Sequence, residues 1–143
     1  MRIPMDRSYL LSGLAYGALG MLLGIHMAAT QNHGQLVTHA HLMLVGFLLS
    51  LLYAVIHRLW LEGEVHVLVA HLQFLLHQAG AVAMVVGLFL LYGGHRPPEA
   101  IEPLLSIASL VVLIALLLML AMVWTSKGAY RTERADVSPA REA

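Results

Sequence analysis

The sequence predicts an all-α integral membrane protein, a bundle of four transmembrane helices with both termini on the cytoplasmic side. Three observations carry this expectation. Hydrophobic residues make up 59% of the 143 residues and charged residues only 11%, with a mean hydropathy of +0.79. Soluble domains carry roughly 25% charged residues. Four segments, 9–30, 36–60, 65–92 and 101–124, each reach the length of about 20 apolar residues that a span requires. The basic residues then set the orientation. Arg2 and Arg7 precede the first span, Arg58 ends the second, and Lys127, Arg131 and Arg134 follow the fourth. All fall on one side of a four-span serpentine, the side expected to be cytoplasmic. The opposite loops hold only Arg96.

Residues 1–126 thus form one membrane domain, and 127–143 form a polar cytoplasmic tail. The first segment is too long for a signal peptide and no A-x-A-like site follows it, so it reads as a retained span. There are no cysteines, which excludes disulfides, thiolate metal sites and covalent haem attachment through CxxCH. The formal net charge of zero argues against nucleic acid as a partner. Membrane lipid is the partner the composition requires.

Span one carries Gly13, Gly17, Gly20 and Gly24 within about 60° of one another around a helix. Such a face serves close helix packing; the alternative is a flat wall for a planar cofactor. His26 lies on the opposite face near the outer end, either as a ligand or snorkelling to the interface.

Span two opens with Thr38-His39-Ala40-His41. An ionisable side chain at membrane depth marks a functional site by default. The two imidazoles point about 200° apart on a regular helix, so they cannot bind one metal together. Met43, Gly46, Ser50, Tyr53 and His57 share the His39 face, a small or polar stripe that belongs inside the bundle. Val45, Leu48, Leu52, Val55 and Leu59 share the His41 face, which is apolar. A histidine there calls for a partner, which points to a neighbouring subunit. The bland alternative is that both imidazoles sit among lipid headgroups and bind nothing.

Span three places His66, Ala70, Gln73, His77, Gly80 and Met84 on one face and His71 with Gln78 on another. Polar groups at this depth need internal partners. His77 and Gln78 read either as a hydrogen-bond network or, for His77, as a cofactor ligand. Span four has no histidine, and its Glu102, Ser106 and Ser109 lie only in the outer third. It reads as an outer wall. Trp60, Tyr92 and Trp124 close segments as an aromatic belt.

The chain has nine histidines against eight Lys and Arg together. Imidazole binds haem b, copper and zinc. Haem b fits best: His26, His39 and His41 lie within roughly 10 Å of the outer surface by helix rise. Candidate cofactor ligands are therefore His39, His41, His26, His71 and His77. His33, in the loop 31–35, is a candidate for propionate contact or for a second metal, so the candidate metal ligands are His39, His41 and His33. Copper is the competitor, through His26, Met27, His33 and Met43.

The stretch His39-Ala40-His41-Leu42-Met43-Leu44-Val45-Gly46, opening an out-to-in helix, resembles subunit I of the haem–copper oxidases, especially the cbb3 and nitric-oxide-reductase branch. The stretch from Gly20 through His33 to Gly46, with His71, is similar to small four-span bacterial proteins akin to that subunit. The likeness covers spans one to three. It implies a bacterial inner-membrane cytochrome with one imidazole of the His-x-His pair directed to each of two haems. It also implies electron transfer or binding of O2 or NO, with a respiratory-chain redox partner. The large family members have twelve spans in three four-helix arcs about a pseudo-threefold axis, and this chain resembles one arc. A homo-oligomer follows, a trimer in preference to a dimer, with His39 of one copy and His41 of the next facing one haem. The family's copper site includes an adjacent His-His pair, which this chain lacks, so enzymatic turnover is not implied. The other readings are a copper-binding or proton-coupled transport protein and a non-catalytic accessory subunit of a respiratory complex.

Overall fold

Four helices account for nearly all of the computed structural model, which describes residues 4–61 and 65–126. The polar tail and Arg2, Lys127, Arg131 and Arg134 lie outside the described residues. Helix α1 is Met5–Thr30, α2 is Leu36–Leu59, α3 is Val67–Tyr92 and α4 is Pro98–Thr125. All four are long and apolar enough to cross a membrane. There is no strand among the described residues. The start of α1 and the end of α4 define the near end of the bundle, and the His33 loop marks the far end.

The helix limits follow local chemistry. Pro4 precedes α1, and the helix ends with Gln31 in the left-handed region at φ 54°, the usual geometry of a helix stop. His66 caps α3, its ring accepting the Leu68 amide at 3.3 Å. Sequence alone starts the fourth span at 101, whereas α4 begins three residues earlier. Pro98 stands in the first turn, where its missing amide leaves nothing unsatisfied.

Helix α2 is not regular. Leu36–His41 is α-helical, Leu42–Leu48 is π-helical and Leu49–Leu59 is α-helical again. The wider i→i+5 turn absorbs roughly one extra residue. The apolar period expected of a regular helix therefore slips within this segment. Phe47, not Gly46, lies over the glycine face of α1, and Gly46 instead receives the Tyr16 ring.

Helices α1 and α2 pack along their length, as do α3 and α4, and the two pairs meet mainly through α2 and α3. The glycine face explains the first pair. A Cβ on Gly13 would lie 3.2 Å from Ser50, on Gly17 2.8 Å from Phe47, on Gly20 2.6 Å from Met43, and on Gly24 3.0 Å from His39. The face is filled by α2, so packing, and not a planar cofactor, occupies it. Gly80 and Gly87 give α3 the same close approach to Val112 and Leu105 of α4. In lipid such contacts hold helices by van der Waals packing, since burial from acyl chains gains little hydrophobic energy.

In the second half of α2 both assigned faces are found: Ser50, Tyr53 and His57 are buried, while Leu48, Leu52, Val55 and Leu59 are exposed. In the first half the assignment fails, because Val45, placed with the outward His41 face, packs instead against Met84, Leu88 and Ala108. Of the face expected on α3, Ala70, Gln73, His77, Gly80 and Met84 are buried, while His66 stands exposed as the cap before the helix. Helix α4 buries only Ile101, Ala108, Ala115, Met119 and Met122, which makes it the outer wall.

Candidate functional site

Two polar sets stand out, one at each depth. The far-end set begins with His39 and His41, three and five residues into α2, so about 5–8 Å from its start by rise. Both are partly buried. His39 lies against Gly24 of α1, and its Nδ1 is 2.9 Å from the Gly20 carbonyl oxygen. His41 bonds within its own helix, Nδ1 to the Val37 carbonyl oxygen at 2.8 Å. A carbonyl only accepts, so in each case Nδ1 donates and Nε2 carries the free lone pair. Fixing the tautomer through a second-sphere carbonyl is how a ligating imidazole is usually held. Val37 and Val45, one turn either side of His41, pack toward Met84, Leu88 and Ala108 of α3 and α4. His39 thus belongs to the α1 side of α2 and His41 to the other side.

The remaining candidates are placed separately. His26 is exposed on α1, about 200° around the helix from Gly24 and hence away from His39. His33 is exposed in the far loop, whose Asn32 side chain accepts the Gly34 amide at 3.0 Å. His71 is exposed near the start of α3, with Nδ1 2.7 Å from the Val67 carbonyl oxygen. Met43 covers Gly20, and Met27 is buried. Among the described residues, no group of three or more His, Asp or Glu is gathered to hold a metal within one chain.

The second set is the buried core. His77 is fully buried, about 15 Å of rise from the start of α3. Its Nε2 lies 3.1 Å from the Ser50 hydroxyl. The fully buried Gln73 accepts the Tyr9 hydroxyl and donates to the Ala115 carbonyl oxygen at 3.2 Å, which ties α1, α3 and α4 together. Beside it, Tyr16 donates to Gln78 at 3.0 Å, and Gln78 donates to Ser12 at 3.0 Å. The Tyr9 ring stacks on His57 with centroids 5.6 Å apart and meets Tyr53 edge-on at 5.4 Å. Tyr53 in turn meets His77 edge-on at 5.0 Å. The network expected of His77 and Gln78 is divided: Gln78 bonds Tyr16 and Ser12, and His77 meets Ser50.

Sequence reasoning did not single out Tyr9 and Tyr16. Their signal was present: they are seven residues apart, two turns on one side of α1, adjoining the glycine face. Among the described residues, three buried atoms in this core have no partner: the Tyr53 hydroxyl, His57 Nε2 and His77 Nδ1.

Comparison of the chain with protein-family models, curated proteins and solved structures finds no match.

Proposed function

We propose that the chain is a b-type haem protein of the bacterial inner membrane, serving electron transfer or the binding of O2 or NO. The observation that supports it is the pair His39 and His41. They share a depth, point to different sides of α2, and each has Nδ1 bound to a backbone carbonyl with Nε2 left to ligate. Bis-imidazole ligation needs two such nitrogens at one depth on separate helices. One helix cannot supply both to one iron, and among the described residues no hydrogen bond or ring contact joins either one to a second histidine. The second ligand then comes from another copy, with His39 of one chain and His41 of the next flanking the cofactor. A bound haem b would supply a one-electron couple. The protein would contribute the two imidazoles, fixed tautomers and an apolar surround. The resemblance of the His-x-His stretch to haem–copper oxidase subunit I points the same way.

The test is spectroscopic. Purified protein should show a Soret band and pyridine haemochrome of haem b. His39→Ala and His41→Ala should each remove most of it. Full retention of haem in both variants overturns the ligand assignment. Bound copper without haem would favour the copper reading, and neither would favour an accessory subunit.

A further inference from the structure

A groove independent of the haem reading lies at the near end, on the outer side of the α1–α2 pair. It encloses about 270 Å³ and is lined by Asp6, Arg7 and Leu10 of α1 and by Ala54, Val55 and Arg58 of α2. The two helices run antiparallel, so sequence position orders the lining by depth. Leu10 stands one turn below Arg7, and Val55 and Ala54 stand one turn below Arg58, about 4.5–6 Å deeper by rise. The groove therefore has a charged mouth and an apolar floor, with the small Ala54 leaving the floor open. Leu10 and Val55 are 44% and 48% exposed, so the groove faces lipid and not the bundle interior. Leu14, also exposed, shares the face of Arg7 and Leu10 and continues the apolar path.

The mouth carries two guanidiniums against one carboxylate. Asp6 is engaged through both oxygens: Oδ1 accepts the Arg7 amide at 2.7 Å, and Oδ2 lies 4.0 Å from Arg58 Nη1. The Arg58 side chain is 64% exposed, and its five N–H donors outnumber what one carboxylate takes. Arg7 is exposed and, among the described residues, forms no ion pair. The lining of the groove thus holds a surplus of one positive charge. Both arginines lie within about 3 Å of a helix end by rise, and their long side chains extend into the headgroup layer.

We propose that this groove seats one anionic phospholipid of the near-end leaflet. Its phosphate lies between Arg7 and Arg58, and the start of one acyl chain lies over Leu10, Ala54 and Val55. The planar guanidinium fork matches phosphate oxygens and holds them by charge-assisted hydrogen bonds. Basic pockets between membrane helices take anionic headgroups in the same way. A zwitterionic lipid offers the same phosphate but brings a cation that the surplus charge repels. A free phosphate ion has no use for the apolar floor. Charge at the mouth and the apolar path below it together select the lipid.

Native mass spectrometry of the full chain tests this, with the protein released from nanodiscs holding equal amounts of phosphatidylglycerol and phosphatidylcholine of the same acyl chains. Wild type should retain one phosphatidylglycerol per chain in preference to phosphatidylcholine. Arg7→Gln and Arg58→Gln should each lower that retention about five-fold, the worth of one basic residue near an anionic surface. Val55→Trp fills the floor without touching either guanidinium and should lower it as well. Arg96→Gln, in the far loop, should change nothing. Should Arg58→Gln not fold for want of its Asp6 contact, Arg7→Gln decides. Equal retention of the two lipids by wild type, or retention untouched by Arg7→Gln, overturns the site. Full retention in Val55→Trp, or displacement of the lipid by equimolar inorganic phosphate, would mark an anion site without a groove and overturns the seating. Lipid retention is read on haem-free and haem-loaded protein alike, so this result and the haem result fail separately.

Discussion

At the scale of single residues, two glycines separate packing from ligand placement. Gly46 has no room for a side chain: an added Cβ would lie 2.6 Å from Tyr16 Cγ and 2.8 Å from its Cβ. Tyr16 cannot retreat without losing Gln78. Gly46→Ala should therefore lose about 1–3 kcal/mol of stability by overpacking, read as reversible unfolding in bicelles. At Gly24 the nearest atom to an added Cβ is Cε1 of His39, at 3.0 Å, and Nδ1 follows at 3.4 Å. Gly24→Ala should keep the fold but turn the imidazole off the Gly20 carbonyl, and haem content should fall. Unchanged haem content in that variant would mean that the His39 geometry is incidental. The glycine face itself was legible in the sequence, because spacing alone fixes which residues share a face. What covers it was not, because packing and a flat cofactor demand the same small residues.

At the scale of elements, the four segments were legible nearly to their ends, since length and hydropathy suffice to mark a span. So were both faces of the second half of α2 and the buried face of α3. The π-helical stretch was not. Gly46 is the one weak helix former in Leu42–Leu48 and does not by itself specify a wider turn, which shows only through its fit to α1, where Phe47 and Met43 settle over glycines. The polar core was half legible: Ser50, Tyr53, Gln73 and His77 follow from periodicity, but Tyr9 and Tyr16 are ordinary span residues until their hydroxyls find Gln73 and Gln78. The π segment makes its own prediction. It absorbs roughly one residue, so deleting exposed Leu44 should yield a regular helix with His39 and Ser50 still in place. Deleting exposed Leu52, in the regular part, should instead rotate Tyr53 and His57 by about 100° relative to the rest. Folded, monodisperse protein should survive the first deletion and not the second. Equal tolerance would show that the segment carries no register.

At the scale of the whole molecule, orientation and assembly each carry a prediction. Arg7 and Arg58 stand at the near end with Asp6, and Arg96 stands in the far loop. The basic bias proposes the near end as cytoplasmic. A reporter active only outside the cell, fused after Ala143, should be silent. Strong activity would invert the map and put the His39 end in the cytoplasm. The proposed assembly rests on the separation of the far-end histidines. Since burial against a neighbour gains little in lipid, shared ligation would be the main glue between copies. Native mass spectrometry should find a trimer that dissociates when haem is withheld or when His41 is replaced by alanine. A haem-loaded monomer with an unaltered spectrum would show that each chain ligates alone.

Helix length has a further consequence. At 24 to 28 residues, the four helices are about 36–42 Å long by rise, against a hydrocarbon core of about 30 Å. The excess is taken up by tilt or by helix ends standing among the headgroups. With the helix ends standing among the headgroups, His39 and His41, three and five residues from the end of α2, would lie near the boundary between headgroup and acyl chain. A redox cofactor held there would be presented to the aqueous compartment. Its electron donor or acceptor would be a water-soluble carrier docking on the far loops, in preference to a quinone diffusing within the membrane.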